Sequence, residues 1–275
     1  MDVNNIINSI NIISEKIFKS VEGEVFEKLD ELLILDETIL EQEPLKTLYI
    51  RGEEQGFVVL TMSFIIFFVM YYAINRLIAM YNGEVAESNI KSLFKLILCT
   101  IFSVYSIYIC EQVLMINGLL TKIIAEIGKE LTGEQICFIS LREVIVDLDK
   151  YMASELISID GIIKGVISFG ATTILISFSI RYVTLIFLIL VTPISIMLAS
   201  NDITYGIFKS WGKILCINLL MQNIVIIILL IPLTIKNTNS DMFKIILVGS
   251  IYLLYKVNNF SKEFLGSISD TTRRR

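Results

Sequence analysis

Three amide side chains fall within six residues of one apolar run, at Asn218, Gln222 and Asn223. Lipid offers an amide no hydrogen-bond partner, so an amide in a membrane segment must find one in protein or in water. The spacing therefore predicts a helix face that packs against another helix or lines a wetted path. The chemistry that these residues supply is hydrogen bonding.

Arg181 is also unusual for its surroundings, because this charged residue lies between the apolar runs 162–180 and 182–199. A guanidinium at the centre of a membrane helix costs about 2.5 to 3.5 kcal/mol on insertion scales, so it normally faces a partner, water or the interface. We expect Arg181 to form the end of a tight turn between two spans and to reach the surface. A pore-lining or substrate-contacting role is the alternative.

The residues needed for covalent chemistry are scarce. The chain has no histidine, which removes the commonest general acid or base and the commonest metal ligand. Its four cysteines form no CxxC pair, and we interpret them as small hydrophobic residues. The P-loop, HExxH and GxSxG patterns are also absent. We predict a protein that is not an enzyme and that uses no cofactor or metal.

The elements that carry these residues are membrane helices. Hydrophobic residues make up 55% of the chain, above the ~45–50% of soluble domains. We predict an all-α polytopic membrane protein with five or six transmembrane helices plus amphipathic interface helices. There are six spans if Arg181 separates two of them, and five if 161–199 forms one span with a half-helix. The apolar runs lie at 57–74, 93–116, 162–180, 182–199, 214–235 and 243–257.

Charge divides the chain into regions, because residues 1–56 hold 13 acidic and 5 basic residues. Apolar residues recur there every three or four positions, which predicts an amphipathic helix that packs on its own protein or on a partner. The basic C-terminal tail predicts a cytoplasmic C-terminus. The predicted regions are an acidic helical region (1–56), a first transmembrane pair (57–116), an amphipathic helical connection (117–160), a second transmembrane bundle (161–260) and a basic tail (261–275).

The stretch from Arg181 to Trp211 resembles a known family. A charged residue ends one apolar run, a second run closes with Pro193 and small residues, and an aromatic, basic segment at 208–213 leads into the next span. This layout resembles the TrbL/VirB-type polytopic inner-membrane component of type IV secretion (conjugation) systems. The resemblance covers 55–260 in layout and 181–223 in motif. The acidic N-terminal helix has no counterpart in it, and an extended C-terminal domain is missing.

The resemblance implies a structural platform or channel subunit in the bacterial inner membrane. Such a subunit helps to pass a DNA–protein or protein substrate across the membrane, while separate ATPases supply the energy. Pro193 would end or bend a span at the membrane edge, and Trp211 would anchor the following helix at the interface. The implied partners are the lipid bilayer, further copies of the chain, the other membrane subunits and the ATPases.

Other functions stay open at this point. A secondary transporter or permease subunit is one alternative, although the two halves of the chain show no convincing internal repeat. A small membrane immunity or lysis protein is another. An intramembrane enzyme ranks below these, because Glu111 has no histidine partner and no paired acid at helical spacing within a span.

Overall fold

A computed structural model describes residues 24–33, 35, 37–41, 57–82, 89–149, 159–201, 204–235, 242–243 and 245–257. In these residues the chain is helical and contains no strand. We number the helices α1 (24–33), α2 (Phe57–Tyr81), α3 (Asn89–Val104), α4 (Ser106–Thr132), α5 (Phe138–Asp149), α6 (Ile159–Leu198), α7 (Tyr205–Ile235) and α8 (Ile245–Val257), with a short 3₁₀ turn at Glu37–Glu41.

Four helices in the described part of the chain are long and apolar enough to cross a membrane. The prediction of an all-helical chain with several such helices is therefore confirmed there, but the count of five or six spans is not. The apolar part of α3 and the whole of α8 are shorter, at 10–17 residues. The four segments are Ser63–Tyr81, Ser106–Thr132, Phe169–Leu198 and Tyr205–Ile235.

Arg181 does not separate two helices. α6 runs without interruption from Ile159 to Leu198, so the predicted turn is wrong. The physical reason is that the side chain of Arg181 is hydrogen-bonded inside the protein and need not turn out to water. The continuous helix also removes the basis for counting six spans.

The predicted second span, 93–116, is divided at Tyr105. Helical hydrogen bonding nevertheless continues across this point, because Tyr105 N–H donates to Ile101 O and Ile109 N–H donates to Tyr105 O, each at 3.1 Å. α4 then extends to Thr132 and includes residues that the sequence pattern assigned to a separate amphipathic helix. Two predicted elements are thus parts of one longer helix.

The ends of the long helices follow from local chemistry. α4 stops where Gly133 takes a φ of 75°, a left-handed conformation that glycine adopts without steric cost. The Gly133 N–H donates to Lys129 O at 2.8 Å and so satisfies one of the last carbonyls. α7 begins after Thr204, whose hydroxyl donates to Leu198 O at 2.6 Å.

The chain divides into two compact units that interleave in sequence. The first unit comprises 1–35, 118–182 and 219–275, and the second comprises 36–117 and 183–218. The core of the first unit is formed by buried apolar side chains of α1, α5, α6, α7 and α8. A smaller core in the second unit contains Phe68, Leu96 and Met197.

α1 packs on its own protein. Phe26, Leu29 and Leu33 are buried in the core of the first unit, while charged residues such as Glu27 and Lys28 are exposed. For residues 24–33 this decides between the two predicted modes, own protein or partner. The rest of the predicted acidic region, apart from residues 35 and 37–41, and the whole predicted basic tail lie outside the described residues.

Candidate functional site

Arg181 is buried among the helices of the first unit. Only 3% of its surface is exposed, although it lies within the apolar segment Phe169–Leu198 of α6. Burying a charged group is costly unless it is hydrogen-bonded. Arg181 and the groups that surround it therefore form the candidate functional site.

Gln222 on α7 is a hydrogen-bond partner of Arg181. Its Oε1 accepts a hydrogen bond from Arg181 Nη2 at 3.1 Å and a second one from the backbone N–H of Leu35, also at 3.1 Å. The residue is fully buried. One amide oxygen thus joins α6, α7 and the chain that follows α1.

The other end of the Gln222 side chain extends the network to α4. Its Nε2 donates to Thr121 Oγ1 at 2.9 Å, and the Thr121 hydroxyl donates to Asn223 Oδ1 at 2.9 Å. Thr121 is fully buried and Asn223 nearly so. We call Arg181, Gln222, Thr121 and Asn223, with the N–H of Leu35, the polar cluster.

Aromatic rings lie beside the polar cluster. The guanidinium carbon of Arg181 lies 5.9 Å from the centroid of the Phe178 ring, within the range of a cation–π interaction. Phe178 in turn makes an edge contact with Phe138 of α5, with centroids 5.9 Å apart. Both rings are buried, so they exclude water on this side and strengthen the hydrogen bonds of the cluster.

The chemistry of the polar cluster is that of attachment. Amides and hydroxyls do not titrate near neutral pH, and arginine keeps its proton in ordinary settings. A chain of hydrogen bonds runs from Arg181 through Gln222 and Thr121 to Asn223. The cluster therefore fixes α4, α6, α7 and the segment after α1 in one arrangement.

The three predicted amides have different surroundings in the structure. Gln222 and Asn223 are buried and bonded to protein in the first unit. Asn218 belongs to the second unit and is half-exposed. Its Nδ2 donates to Ile214 O of its own helix at 2.9 Å.

Pro193 and Trp211 lie in the second unit. α6 continues through Pro193 to Leu198, so the helix does not end at this residue, and the alternative of a bend at the membrane edge stays a prediction. The carbonyl of Pro193 accepts a hydrogen bond from Ser103 Oγ at 2.8 Å. Trp211 Nε1 donates to Leu188 O at 3.0 Å, and its place at a membrane interface stays a prediction.

The segment predicted to precede a span, 208–213, forms the first turns of α7 itself. Within it, the rings of Phe208 and Trp211 stack with centroids 5.7 Å apart and planes 25° from parallel. In the family resemblance this segment leads into the next span. No residue inside it breaks the helix, so it continues directly into the apolar run.

Sequence reasoning missed the contact between α1 and α5. Asp30 accepts the backbone N–H groups of Phe138 and Ile139 at 2.6 and 2.9 Å, and so satisfies the start of α5 from 108 residues away. The one signal in the sequence was the weak local cap, since Cys137 occupies the position where Ser, Thr, Asp or Asn is preferred. Its sulfur accepts the Ser140 N–H at 3.3 Å.

The surroundings of Asp30 affect its ionisation. Burial raises the pKa of this carboxyl above its ordinary value, and the two N–H groups that it accepts oppose the rise in part. Asp30 lies on α1, outside the four segments that are long enough to cross a membrane.

Comparison of the chain with protein-family models, with curated proteins and with solved structures finds no match. Within the residues that the structure describes, no group of three or more His, Cys, Asp or Glu side chains could hold a metal ion.

Proposed function

We propose that this chain is a structural subunit of a membrane platform in a bacterial secretion machine, of the conjugative type IV kind. It would help to pass a DNA–protein or protein substrate across the cytoplasmic membrane while separate ATPases supply the energy. The observation that carries the proposal is the polar cluster. In this cluster a buried arginine and two buried amides hold four segments together by hydrogen bonds.

The lengths of the helices support a scaffold. α6 has 40 residues and α7 has 31, which at 1.5 Å per residue gives about 60 and 46 Å. The hydrocarbon core of a bilayer is only about 30 Å thick. Helices of this length extend beyond it and offer surface to neighbouring subunits.

α2 supports an assembled state. Only 6% of its most apolar window is buried within the chain, and large side chains such as Phe67, Met70 and Leu77 are more than half exposed. A helix that is apolar all round needs lipid or another protein around it. We propose that lipid and further copies of the chain, or other platform subunits, cover α2.

The proposed topology has five crossings, by α2, α4, α6, α7 and α8, with the C-terminus in the cytoplasm. The continuity of α6 supports five rather than six. If α8 crosses, α7 and α8 together bring the chain back to the side from which α7 started. Lys209 and Lys213, at the start of α7, and the basic tail after α8 then lie on the same side, as the positive-inside rule requires. The N-terminus then lies outside the cytoplasm.

The contact between α1 and α5 supports the first half of this topology. The outer face of α1 carries exposed charges, with Lys28 Nζ 2.7 Å from Glu31 Oε2, and such a face needs water. Asp30 binds the start of α5, so both helices share one aqueous side. The chain between them then crosses an even number of times, as α2 and α4 together do.

The test is a DNA-transfer assay in the strain that encodes the chain. We expect deletion of the gene to abolish transfer of a marked element to a recipient, and the intact gene to restore it. Gln222→Leu should fail to restore transfer, whereas Thr234→Val, an exposed change on the same helix, should restore it. Transfer that persists without the gene would refute the proposal.

A coupled transporter is the second candidate, because a buried cation on an apolar helix is typical of solute sites in the membrane. This function predicts that the purified chain alone, in liposomes, moves a small anionic solute. It also predicts that Arg181→Met abolishes the movement while Ser179→Ala does not. Transport without any other subunit would favour this candidate over the platform.

A further inference from the structure

Glu111 is an exposed acid on the apolar outer face of α4. It is the only charged residue of the sequence between Lys95 and Lys122, and large side chains near it, such as Tyr108 and Ile116, are 60% and 56% exposed. Glu111 forms no hydrogen bond or ion pair with any residue that the structure describes. A carboxylate on an apolar membrane helix favours a cationic partner.

Two lysines on α7 have the opposite charge and a similar setting. Lys209 and Lys213 are exposed, and apolar side chains beside them, Ile207 and Ile214, are 54% and 44% exposed. Neither lysine is hydrogen-bonded or ion-paired within the part of the chain that the structure describes. Each lies two positions from Trp211, which at 3.6 residues per turn is about 160° around the helix. Because Trp211 bonds α6, the lysines face away from α6.

One turn of α6 holds both α4 and α7. The Trp211 indole donates to Leu188 O at 3.0 Å, and the Thr192 hydroxyl donates to the same carbonyl at 2.9 Å. The sulfur of Cys110, the residue before Glu111, lies 3.3 Å from the Thr192 hydroxyl oxygen. All of these residues belong to the second unit. The acid and the two lysines are therefore placed by the same short piece of α6.

These contacts also give the heights of the charges along α6. A short connection joins α6 to α7, so the two helices run antiparallel. Thr192 is about 6 Å nearer to this connection than Leu188, and Lys209 is about 3 Å nearer to it than Trp211. Glu111 and Lys209 therefore lie within about one helical turn of the same height.

A second copy of the chain supplies the partner that Glu111 lacks. Copies in one membrane are related by rotation about an axis along the membrane normal, and such a rotation leaves the height of every residue unchanged. Opposite charges at one height can therefore meet across the boundary between two copies. A contact of α4 with α4 would instead bring Glu111 close to Glu111.

We propose that α4 of one copy packs against α7 of the next copy, with Glu111 paired to Lys209 and Lys213. Such a head-to-tail contact builds a ring when the rotation closes. This inference rests on the proposed assembly of several copies in a membrane, and not on the transfer of DNA.

Cysteine cross-linking in the cell membrane tests the contact. Two full-length chains without their own cysteines are co-expressed with different tags, one with Glu111→Cys and one with Lys209→Cys. We expect oxidation to join them at least tenfold more than a pair with Ile97→Cys in place of Glu111→Cys. Ile97 is 48% exposed, but it lies about 21 Å before Glu111 along α3 and α4.

Two outcomes of the cross-linking would overturn the proposal. Joining of two chains that both carry Glu111→Cys would show that α4 contacts α4. A disulfide within one chain that carries both Glu111→Cys and Lys209→Cys would show that the two residues meet inside a single copy.

An exchange of charges tests the pairing itself. Glu111→Lys should lower the oligomer fraction in mild detergent, measured by native mass spectrometry, at least fivefold. Adding Lys209→Glu and Lys213→Glu to this variant should restore the oligomer, and Glu130→Lys, at an exposed acid of the same helix, should leave it intact. The thermal midpoint shows whether each variant is folded.

Oligomers that persist in folded Glu111→Lys, or that the exchanged lysines fail to restore, would contradict the pairing. The secretion role fails separately, because DNA transfer that continues after deletion of the gene refutes that role and leaves the cross-link unaffected.

Discussion

Gln222 holds more of the polar cluster than any other residue, because its amide makes three of the cluster's hydrogen bonds. We predict that Gln222→Leu lowers stability by about 2 to 4 kcal/mol, since a buried cation and a hydroxyl both lose a bond. In a chain of this size this corresponds to a fall of about 5 to 10 °C in the thermal midpoint. Thr234→Val on the same helix should change the midpoint little.

Much of the stability lost in Gln222→Leu comes from leaving Arg181 buried without this hydrogen bond. A second substitution, at Arg181, tests this explanation. Arg181→Met combined with Gln222→Leu should be more stable than Gln222→Leu alone, because replacing a buried charge by an apolar side chain removes the desolvation penalty. The measurement is thermal unfolding in one detergent at a fixed scan rate. Additive losses in the double variant would contradict a direct coupling of the two residues.

Asp30 leads to a prediction about pH. Burial raises its pKa in the folded protein above its ordinary value of about 3.9, so the folded state holds the proton more tightly than the unfolded state. The contribution of Asp30 is therefore fully present below pH ~3.9 and is lost as the pH rises through the raised pKa. We predict that the midpoint difference between the unmodified chain and Asp30→Asn declines as the pH rises above about 4.

Two further variants of α1 distinguish the effect of losing the cap on α5 from the effect of losing a negative charge on α1. Asp30→Ala, which removes both acceptors from the start of α5, should cost about 1 to 2 kcal/mol, as the loss of a helix cap does. Glu27→Gln changes an exposed carboxylate of the same helix and is the matched control. A midpoint difference between the unmodified chain and Asp30→Asn that grows with pH would contradict a raised pKa at Asp30.

At the scale of the helices, α6 and α8 depend on glycine at their contact. Gly170→Ala adds a methyl that collides with the buried Ile251, and overpacking of this kind costs about 1 to 3 kcal/mol. Gly249→Ala on α8 is the control, because a Cβ there meets nothing within 4 Å, and alanine is the better helix former. We predict a lower thermal midpoint for the first variant and an unchanged or higher one for the second.

The same two glycine variants test how closely the two helices approach. If Gly170→Ala were as stable as Gly249→Ala, α6 and α8 would not approach as closely as the structure has them.

The helices themselves were largely predictable, because an apolar run long enough to cross a bilayer indicates a membrane helix. Their boundaries were not. Arg181 predicted a turn, and the residue that makes a turn unnecessary is Gln222, 41 positions away in sequence. Helix α4 runs through the predicted division at 116–117, and Thr121, a buried member of α4, bonds residues 101 and 102 positions away.

The site was predictable only in part. Amides in an apolar run predict that hydrogen-bond partners exist, but not which residues they are. In the structure, Gln222 and Asn223 both bond Thr121 of the first unit. The backbone N–H of Leu35 and the cap at Asp30 carry no sequence signal of comparable strength, because any residue has an N–H and α1 has several acids. Long-range partners depend on the tertiary arrangement, which local patterns do not encode.

At the scale of the whole molecule, charge favours a crossing by α8. The described part of α8, Ile245–Val257, spans about 20 Å, and a hydrophobic stretch shorter than the ~30 Å bilayer core crosses by thinning the bilayer locally, at a cost of only fractions of a kcal/mol per Å. Basic residues at 209 and 213 and in the C-terminal tail favour a crossing. Five crossings therefore stay the topology that we propose.

This topology predicts which positions an impermeant maleimide reaches in intact cells. In a chain whose four cysteines are replaced, Glu27→Cys and Gln135→Cys should both be labelled, because α1 and the start of α5 share the outer side. Lys209→Cys, after one further crossing by α6, should be labelled only when the membrane is opened. All three positions carry exposed side chains, so a lack of labelling reports the side of the membrane. Opposite results for positions 27 and 135 would contradict the even number of crossings between them, and labelling of position 209 in intact cells would contradict the crossing by α6.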